Sequence, residues 1–225
     1  MTYPEFKAVI FDMDGLLVDS EPLWETCERA LLDRRGHTWN DGIREKLIGL
    51  RMNDFLRGMI AGYGLTDPVE TMRAELESEM CAQIPDAVEA RPGARALVDY
   101  LYEQGIPCAI ASSSGQVIID TVVESNGWKH VFTTRVTGDI VPNGKPAPDV
   151  YLEAARQLGV APEDCLALED SPTGARAAVA AGMTTFAIPD PSHSDPDLLA
   201  TITPHVFHSL HEVLDIVRKQ TEARA

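Results

Sequence analysis

The stretch KAVIFDMDG, residues 7–15, decides the fold predicted for this chain. It is a short apolar run, KAVIF at 7–11, followed directly by Asp12, Met13, Asp14 and Gly15. A short apolar run bounded by turn residues predicts a buried β-strand. Similar runs follow at 108–112 (CAIAS), 131–136 (VFTTRV), 165–168 (CLAL) and 184–188 (TTFAI). Helical patterns separate the runs, so we predict an α/β fold with a doubly wound parallel sheet.

Three of the helices between these strands have readable ends. They are predicted at 92–104, 148–158 and 172–181, each with a proline in its first turn. A glycine follows each one, at Gly105, Gly159 and Gly182. Proline is tolerated at a helix start because the donor it lacks has no partner there, and glycine accepts the left-handed conformation that often ends a helix.

One segment interrupts the alternation of strands and helices. Residues 22–90 show amphipathic helical patterns and no convincing strand. We therefore predict two units, an α/β core made of residues 1–20 and 91–225 and a helical cap made of residues 21–90. An insertion after the first strand lies above the carboxyl ends of the strands, where open α/β sheets bind ligands, so the cap is a candidate lid.

Composition excludes several classes of function. The 225 residues include 35 acidic and 19 basic side chains, a formal net charge of −16. Such a surface repels phosphate backbones, so we expect no nucleic-acid partner. The sequence holds no apolar run of about 18 residues, so we expect no membrane partner and a cytoplasmic protein. Its four cysteines include no Cys-x-x-Cys pair, which predicts reduced thiols rather than a zinc or dithiol site.

Polar residues follow four of the predicted strands. These residues are Asp12 and Asp14, the Ser112–Ser114 run, Lys145 in the turn after the third strand, and Glu169 with Asp170. Each group alone has an ordinary structural role, as an acidic turn, a helix cap or a solvated lysine. Because the carboxyl ends of parallel strands share one sheet edge, the four groups together predict a phosphoryl-transfer site. Its carboxylates would supply a nucleophile and hold a hard cation, while a hydroxyl and an ammonium would bind phosphate oxygens.

The same motifs resemble those of the haloacid dehalogenase superfamily phosphatases, in the subgroup of β-phosphoglucomutase and sugar-phosphate phosphatases. DMDG at 12–15, SSS at 112–114, GKPAPD at 144–149 and LEDSPTG at 168–174 match the four motifs in order and spacing. The resemblance covers essentially the whole chain. It implies a Rossmann-like core with an inserted helical cap, and a phosphatase that forms an aspartyl-phosphate.

The resemblance also assigns roles to residues. It implies that Asp12 is the nucleophile, and that Asp14 is the general acid for the leaving oxygen and then the base for water. Ser112 and Lys145 would hold the transferring phosphoryl group, with Met13 and Ser113 beside them. Mg²⁺ would be bound by the Asp12 carboxylate, the Asp14 backbone carbonyl and Asp170, with Glu169 in support. Dehalogenases have no carboxylate at the position of Asp14, so a dehalogenase is disfavoured.

The cap residues bear on the substrate. Mutases of the subgroup carry a histidine ten residues after the second motif aspartate, where this chain has Trp24. Trp24 could stack on a sugar or anchor the cap, and Arg51 is the cap cation best placed to reach a substrate. We expect a small phosphorylated metabolite, first a sugar phosphate, as the substrate of a monomeric enzyme. A β-phosphoglucomutase-type mutase and a non-catalytic phosphate-binding protein remain alternatives.

Overall fold

The computed structural model describes residues 3–191 and 194–223. Within them the strands are β1 Ala8–Phe11, β2 Val18–Asp19, β3 Glu89–Ala90, β4 Cys108–Ser112, β5 Thr134–Thr137, β6 Cys165–Glu169 and β7 Thr184–Ala187. The helices are α1 Glu21–Asp33, α2 Asp41–Arg44, α3 Met52–Tyr63, α4 Val69–Ala87, α5 Ala94–Glu103, α6 Gln116–Ser125, α7 Asp149–Leu158, α8 Pro172–Ala180, α9 Pro196–Ala200 and α10 Leu210–Glu222. Short 3₁₀ turns cover Gly138–Ile140 and Pro162–Asp164.

The main sheet is parallel, with the strand order β5-β4-β1-β6-β7. β1 is the central strand, where Val9 pairs with Cys108 of β4 on one side and with Leu166 of β6 on the other. The chain builds one half of the sheet after β1 and then returns to build the other half. Strand order therefore reverses beside β1, and such a switch point is where doubly wound sheets bind ligands. This architecture confirms the predicted fold class.

Both faces of the sheet are covered. Along β1, Val9 and Phe11 join the larger apolar cluster, which includes residues of α5, α6 and α10. Ala8 and Ile10 join the second cluster, in which α7 and α8 contribute mainly small alanine side chains. Alternate residues of a strand point to opposite faces, so the continuous apolar run of β1 is what a strand buried on both faces requires.

Residues 21–87 between β2 and β3 form the helices α1–α4, as the helical patterns predicted. The chain leaves and re-enters the core through an antiparallel pair, with Val18 opposite Ala90 and Asp19 opposite Glu89. These two-residue strands were not predicted, because so short a segment shows no periodicity. The pair supports the proposed division into a core of residues 1–20 and 91–225 and a cap of residues 21–90.

Several boundaries differ from the prediction. The third strand covers Thr134–Thr137 rather than 131–136, because Val131 and Phe132 bury their side chains in the turn that follows α6. Pro172 begins α8 as predicted, but Pro148 is the N-cap of α7 and Pro92 precedes the N-cap Gly93. Gly93 has φ +88°, and a Cβ there would lie 2.5 Å from the backbone nitrogen of His211. The close approach of α10 thus sets the start of α5.

The predicted helix ends are confirmed where glycine follows. Gly105, Gly159 and Gly182 all adopt positive φ, between 65° and 79°. None of the described helices is both long enough and apolar enough to cross a membrane.

Candidate active site

Asp12 is fixed at the carboxyl end of the central strand. Its backbone nitrogen donates to the carbonyl of Leu168 at 2.9 Å, which continues the ladder between β1 and β6. The chain then turns at Gly15, with φ 79°, and the Gly15 nitrogen donates to Val18. This turn leaves both Asp12 and Asp14 lining one cavity between core and cap. The Met13 side chain is fully buried in the core, so only its backbone can face a phosphate.

Lys145 joins the first and fourth motifs. Its Nζ atom lies 2.6 Å from Asp12 Oδ1 and 2.6 Å from Glu169 Oε1, and all three side chains are buried. Burial by itself lowers the pKa of Lys145, but the two carboxylates outweigh it and raise that pKa above its ordinary value. Burial raises the pKa of Asp12 well above its ordinary value, and nearby carboxylates raise it further against the effect of Lys145. The cluster carries a surplus of negative charge, which a cation would neutralise.

The acids at the ends of β1 and β6 form a group that could hold a metal ion. Carboxylate oxygens of Asp12, Glu169 and Asp170 all lie within 4.8 Å of one another, and each residue is buried. Mg²⁺ prefers a few carboxylate oxygens together with water and substrate phosphate oxygens, so this donor set fits it. The Asp14 carboxylate lies outside this group and contacts other residues.

Four donors converge on Asp14. Oδ1 accepts from Ser20 Oγ at 2.6 Å and from Trp24 Nε1 at 3.0 Å, while Oδ2 accepts from Ser114 Oγ at 2.7 Å and Ser112 Oγ at 3.4 Å. Trp24 belongs to the cap and Ser114 to the core, so Asp14 connects the two. Ser20 was missed as a site residue, and Ser114 was named only as part of the SSS run, with no role of its own.

The serine run after β4 faces the same cavity. Ser112, Ser113 and Ser114 all line it, and the run is followed by the N-terminus of α6. Ser113 Oγ donates to the Gly49 carbonyl of the cap at 3.1 Å. The structure thus brings together Asp12, Asp14, Ser112, Ser113 and Lys145, as the sequence predicted for one sheet edge.

Glu169 is held by five hydrogen bonds at zero exposure. Its carboxylate accepts from Lys145 Nζ, from Tyr151 Oη at 2.7 Å, from the Asp170 nitrogen at 3.1 Å, and from the nitrogen and Oγ of Ser171. Ser171 also accepts from the Gly174 nitrogen at 3.1 Å and is the N-cap of α8. Tyr151 was missed because an aromatic residue inside an amphipathic helix reads as core packing.

The cap lines the cavity with one face of α1. Glu21, Trp24 and Glu28 stand three and four residues apart, the spacing of one helix face, and all three line the cavity. Arg44 of α2 donates from Nε to Glu28 Oε2 at 2.6 Å and from Nη2 to Glu21 Oε2 at 2.8 Å. Burial raises the pKa of Glu28 to about 7 despite Arg44. Sequence reasoning missed these three charged residues, since none falls in a motif.

Arg51 lies beside the cavity rather than in its lining. Its guanidinium binds the Asp54 carboxylate and donates to the Pro142 carbonyl at 3.2 Å. Its aliphatic part packs over Gly138 and Gly144 of the core, where a Cβ would come within 3.2–3.4 Å of it. In this arrangement Arg51 joins cap to core, while Trp24 is buried against Asp14.

Known proteins are similar to this chain in sequence and in fold. The model of a family described as haloacid dehalogenase-like hydrolase matches residues 9–188. Hexitol phosphatase B of Escherichia coli (strain K12) is 35% identical over 201 residues, covering 85% of this chain and 88% of the relative. A bifunctional riboflavin kinase/FMN phosphatase of Arabidopsis thaliana is 34% identical over 208 residues, 92% of this chain. The chain spans 54% of the length of that bifunctional protein.

A solved structure shows the same fold. The crystal structure of beta-phosphoglucomutase from Clostridium difficile matches with a TM-score of 0.81 at 20% identity, covering 97% of this chain and 98% of that one. Identity this low establishes the fold alone. The family model spans most of the chain and the hexitol phosphatase covers most of it at more than 30% identity. This chain therefore belongs to the haloacid dehalogenase-like hydrolase family.

Proposed function

We propose that this phosphatase hydrolyses a small sugar or sugar-alcohol phosphate in a Mg²⁺-dependent reaction through an aspartyl-phosphate on Asp12. One observation carries the proposal: Asp12, Lys145, Glu169 and Asp170 form a buried charged cluster, and Asp14 lines the same cavity as Asp12, Lys145 and Asp170. Nucleophile, phosphate-binding cation, metal-binding carboxylates and acid–base group are thus present in one place.

The reaction proceeds in two displacements at phosphorus. In the first, the Asp12 carboxylate attacks the phosphoryl group and Asp14 gives a proton to the leaving oxygen. In the second, Asp14 takes a proton from water, which attacks the phosphorus and releases phosphate and free Asp12. Lys145 and Ser112 hold the phosphoryl oxygens in both steps. Mg²⁺ bound to Asp12, Asp170 and the Asp14 carbonyl, with Glu169 in support, would supply positive charge to those oxygens.

The bonds to Asp14 support its acid–base role. They come from both units: Trp24 of the cap donates to Oδ1 of Asp14 and Ser114 of the core donates to Oδ2, so both oxygens are bonded when the cap lies against the core. A cap that closes against the core would exclude water from the cavity and so strengthen each charge interaction inside it. We propose that the cap closes over a bound substrate and thereby fixes Asp14 in place.

The volume of the cavity favours a substrate with a small leaving group. It holds about 100 Å³, whereas pockets for drug-sized ligands hold roughly 300–1,000 Å³. The similarity to hexitol phosphatase B points in the same direction. We therefore propose a sugar or sugar-alcohol phosphate rather than a nucleotide.

Hydrolysis is favoured over mutase chemistry by Trp24. The indole fills the position at which mutases of the resembling subgroup carry histidine, and its N–H is bonded to Asp14. The fold shared with beta-phosphoglucomutase does not separate the two activities, so this side chain decides the proposal.

We further propose that the enzyme works as a monomer in the cytoplasm. The cysteines, Cys27, Cys81, Cys108 and Cys165, are all free. Free, mostly buried thiols fit a reducing compartment.

The test is phosphate release from a panel of sugar and sugar-alcohol phosphates with Mg²⁺. We expect release that stops with EDTA and in Asp12→Asn. β-Glucose 1-phosphate with its bisphosphate primer tests the mutase alternative, and conversion to glucose 6-phosphate without phosphate release would overturn the assignment as a hydrolase. Release that persists in Asp12→Asn would overturn the role of Asp12.

A further inference from the structure

The cap side of the cavity carries a charged trio that the proposed reaction does not use. Glu21 and Glu28 on α1 and Arg44 at the end of α2 all line the cavity, which Lys145 and Asp12 of the core also line. The group is largely withdrawn from solvent, with side-chain exposures of 17% for Glu21, 3% for Glu28 and 13% for Arg44. Buried charges are costly unless paired, and Arg44 pairs with both glutamates beside the cavity.

The guanidinium of Arg44 is already engaged. Its Nε and Nη2 atoms bind Glu28 and Glu21 at 2.6 and 2.8 Å, within the range of charge-assisted hydrogen bonds. Arg44 keeps N–H donors that these two bonds do not use, but a second phosphate could reach them only beside two carboxylates. The trio therefore differs from a phosphate-binding arginine, which would face the cavity without a carboxylate partner.

The net charge of the trio is not positive in either protonation state of Glu28. With both carboxylates ionised the trio carries −1, and with Glu28 protonated it carries 0. Burial raises the pKa of Glu28 to about 7, so both states occur near neutral pH. Neither state leaves net positive charge for a second phosphate, and in the ionised state the low dielectric of the cavity enlarges the repulsion.

The same carboxylates suit hydroxyl groups. Arg44 engages only Oε2 of each glutamate. A carboxylate offers about four acceptor sites on its two oxygens, so Glu21 and Glu28 retain capacity to accept from substrate O–H groups. Neighbouring lining residues of the cap, Ile48, Met52 and Phe55, are apolar and suit the carbon face of a sugar.

We propose that Glu21 and Glu28, held by Arg44, select monophosphates whose far end is uncharged and rich in hydroxyls, and reject sugar bisphosphates. This inference rests on the proposed function and specifies the substrate class of the same site. Lys145 and the metal-binding acids receive the reacting phosphate at the core, while the cap trio receives hydroxyls at the other end. Specificity of this kind comes from repulsion of the wrong substrate as much as from attraction of the right one.

The experiment compares matched substrates on the Mg²⁺-loaded enzyme. Fructose 6-phosphate is paired with fructose 1,6-bisphosphate, glucose 6-phosphate is paired with glucose 1,6-bisphosphate, and p-nitrophenyl phosphate serves as a substrate without hydroxyls. We expect kcat/KM for at least one monophosphate to exceed that of its bisphosphate by about tenfold or more. In Glu21→Gln the ratio should fall at least about threefold, because one repulsive charge and one strong acceptor are lost.

The control is Glu45→Gln. Glu45 is an exposed carboxylate next to Arg44 in sequence and outside the cavity lining, so this variant makes the same charge change on the same cap. Its substrate ratio should equal that of the unmodified enzyme. If Glu21→Gln lowers thermal stability strongly, Glu28→Gln provides the second test of the ratio.

The outcomes separate two kinds of failure. Equal kcat/KM for monophosphate and bisphosphate, or a ratio in both glutamine variants equal to that of Glu45→Gln, would overturn the role of the trio while the phosphatase assignment stands. Asp12-dependent hydrolysis of p-nitrophenyl phosphate with no hydrolysis of either sugar monophosphate would overturn it as well. Absence of Asp12-dependent phosphate release from every substrate would overturn the proposed function itself.

Discussion

Replacing Gly174 with alanine places a methyl group against the Glu169 carboxylate. The new Cβ would lie 1.7 Å from Glu169 Oε1 and 2.1 Å from its Cδ, where real Cβ contacts stay above 3.0 Å. The carboxylate or the first turn of α8 must therefore move by about 1.3 Å, which is the difference between the 3.0 Å limit and the 1.7 Å separation from Oε1. Glu169 has no space to move into without breaking its bonds, because it is fully buried.

The cost of Gly174→Ala follows from the donors that lose their acceptor. Lys145 Nζ and Tyr151 Oη donate to Glu169 Oε1 at 2.6 and 2.7 Å, and a shift of this size takes both beyond hydrogen-bond range. The buried Tyr151 hydroxyl left without this acceptor costs about 1–3 kcal/mol, and Lys145, which keeps its bond to Asp12, loses one charge-assisted bond that contributes about 1.5–3 kcal/mol. Alanine returns about 1 kcal/mol through its higher helix propensity. We expect the free energy of unfolding to fall by about 3 kcal/mol, which lowers the Tm by about 6–12 °C for a chain of this size.

Thermal unfolding in EDTA measures the stability of Gly174→Ala, and phosphate release in Mg²⁺ measures its turnover. Gly42→Ala is the matched control, since Gly42 lies in a helix and its added Cβ would meet Asn40 Oδ1 at an ordinary 3.4 Å. The control should change the free energy of unfolding by less than about 1 kcal/mol and leave turnover unaffected. If Gly174→Ala unfolds at the temperature of the unmodified protein and keeps full turnover, the tight packing assigned to Glu169 is wrong.

Three further predictions use other contacts. Trp24→Phe removes the indole donor that lies 3.0 Å from Asp14 Oδ1. We expect kcat to fall by roughly tenfold on a sugar phosphate and much less on p-nitrophenyl phosphate, because the leaving group of p-nitrophenyl phosphate departs without a proton. Equal losses of kcat on both substrates would contradict the role of Asp14. Asp139→Asn weakens the ion pair in which Arg73 of the cap lies 2.5 Å from Asp139 of the core. Because this pair would hold the cap closed, KM should rise by about two- to fivefold, with a Tm change below about 4 °C. An unchanged KM would mean that this pair does not hold the cap closed. Burial raises the pKa of Glu28 to about 7, so the folded state binds that proton more tightly than the unfolded state does. The free energy of unfolding should therefore fall as pH rises from about 4.5 to 7, and this part of the decline should disappear in Glu28→Gln. Parallel curves of Tm against pH for the two proteins would argue against the raised pKa of Glu28.

The core of the site was predictable because parallel strands impose it. Each motif residue follows a recognisable buried strand, and the carboxyl ends of such strands meet at one edge. Asp12, Ser112 and Lys145 could therefore be placed together before any coordinates were known. The buried state of Lys145 between two carboxylates was not predictable, because the length of a turn does not give the direction of its side chain.

The cap shows where sequence reasoning ends. Amphipathic periodicity identified its helices, but it did not show that Glu21, Trp24 and Glu28 share the face turned to the cavity. The place of Arg44 in the cavity lining was also not predictable, because a charged residue in a short helix usually lies in solvent. Arg51 was singled out because it is a cation in the cap turn, and the structure places it against Asp54 and Pro142. Tertiary packing decides these positions, and local pattern carries little information about it.

The central claim is that the Asp12 carboxylate accepts the phosphoryl group. Enzyme mixed with a hydrolysed sugar phosphate and Mg²⁺ is quenched in acid during turnover, treated with borohydride and digested for mass spectrometry. Borohydride reduces an acyl phosphate to an alcohol, so residue 12 should be recovered in part as homoserine, with Asp14 unchanged. Recovery of unmodified Asp12 under conditions of full turnover, or reduction at a different carboxylate, would contradict the account.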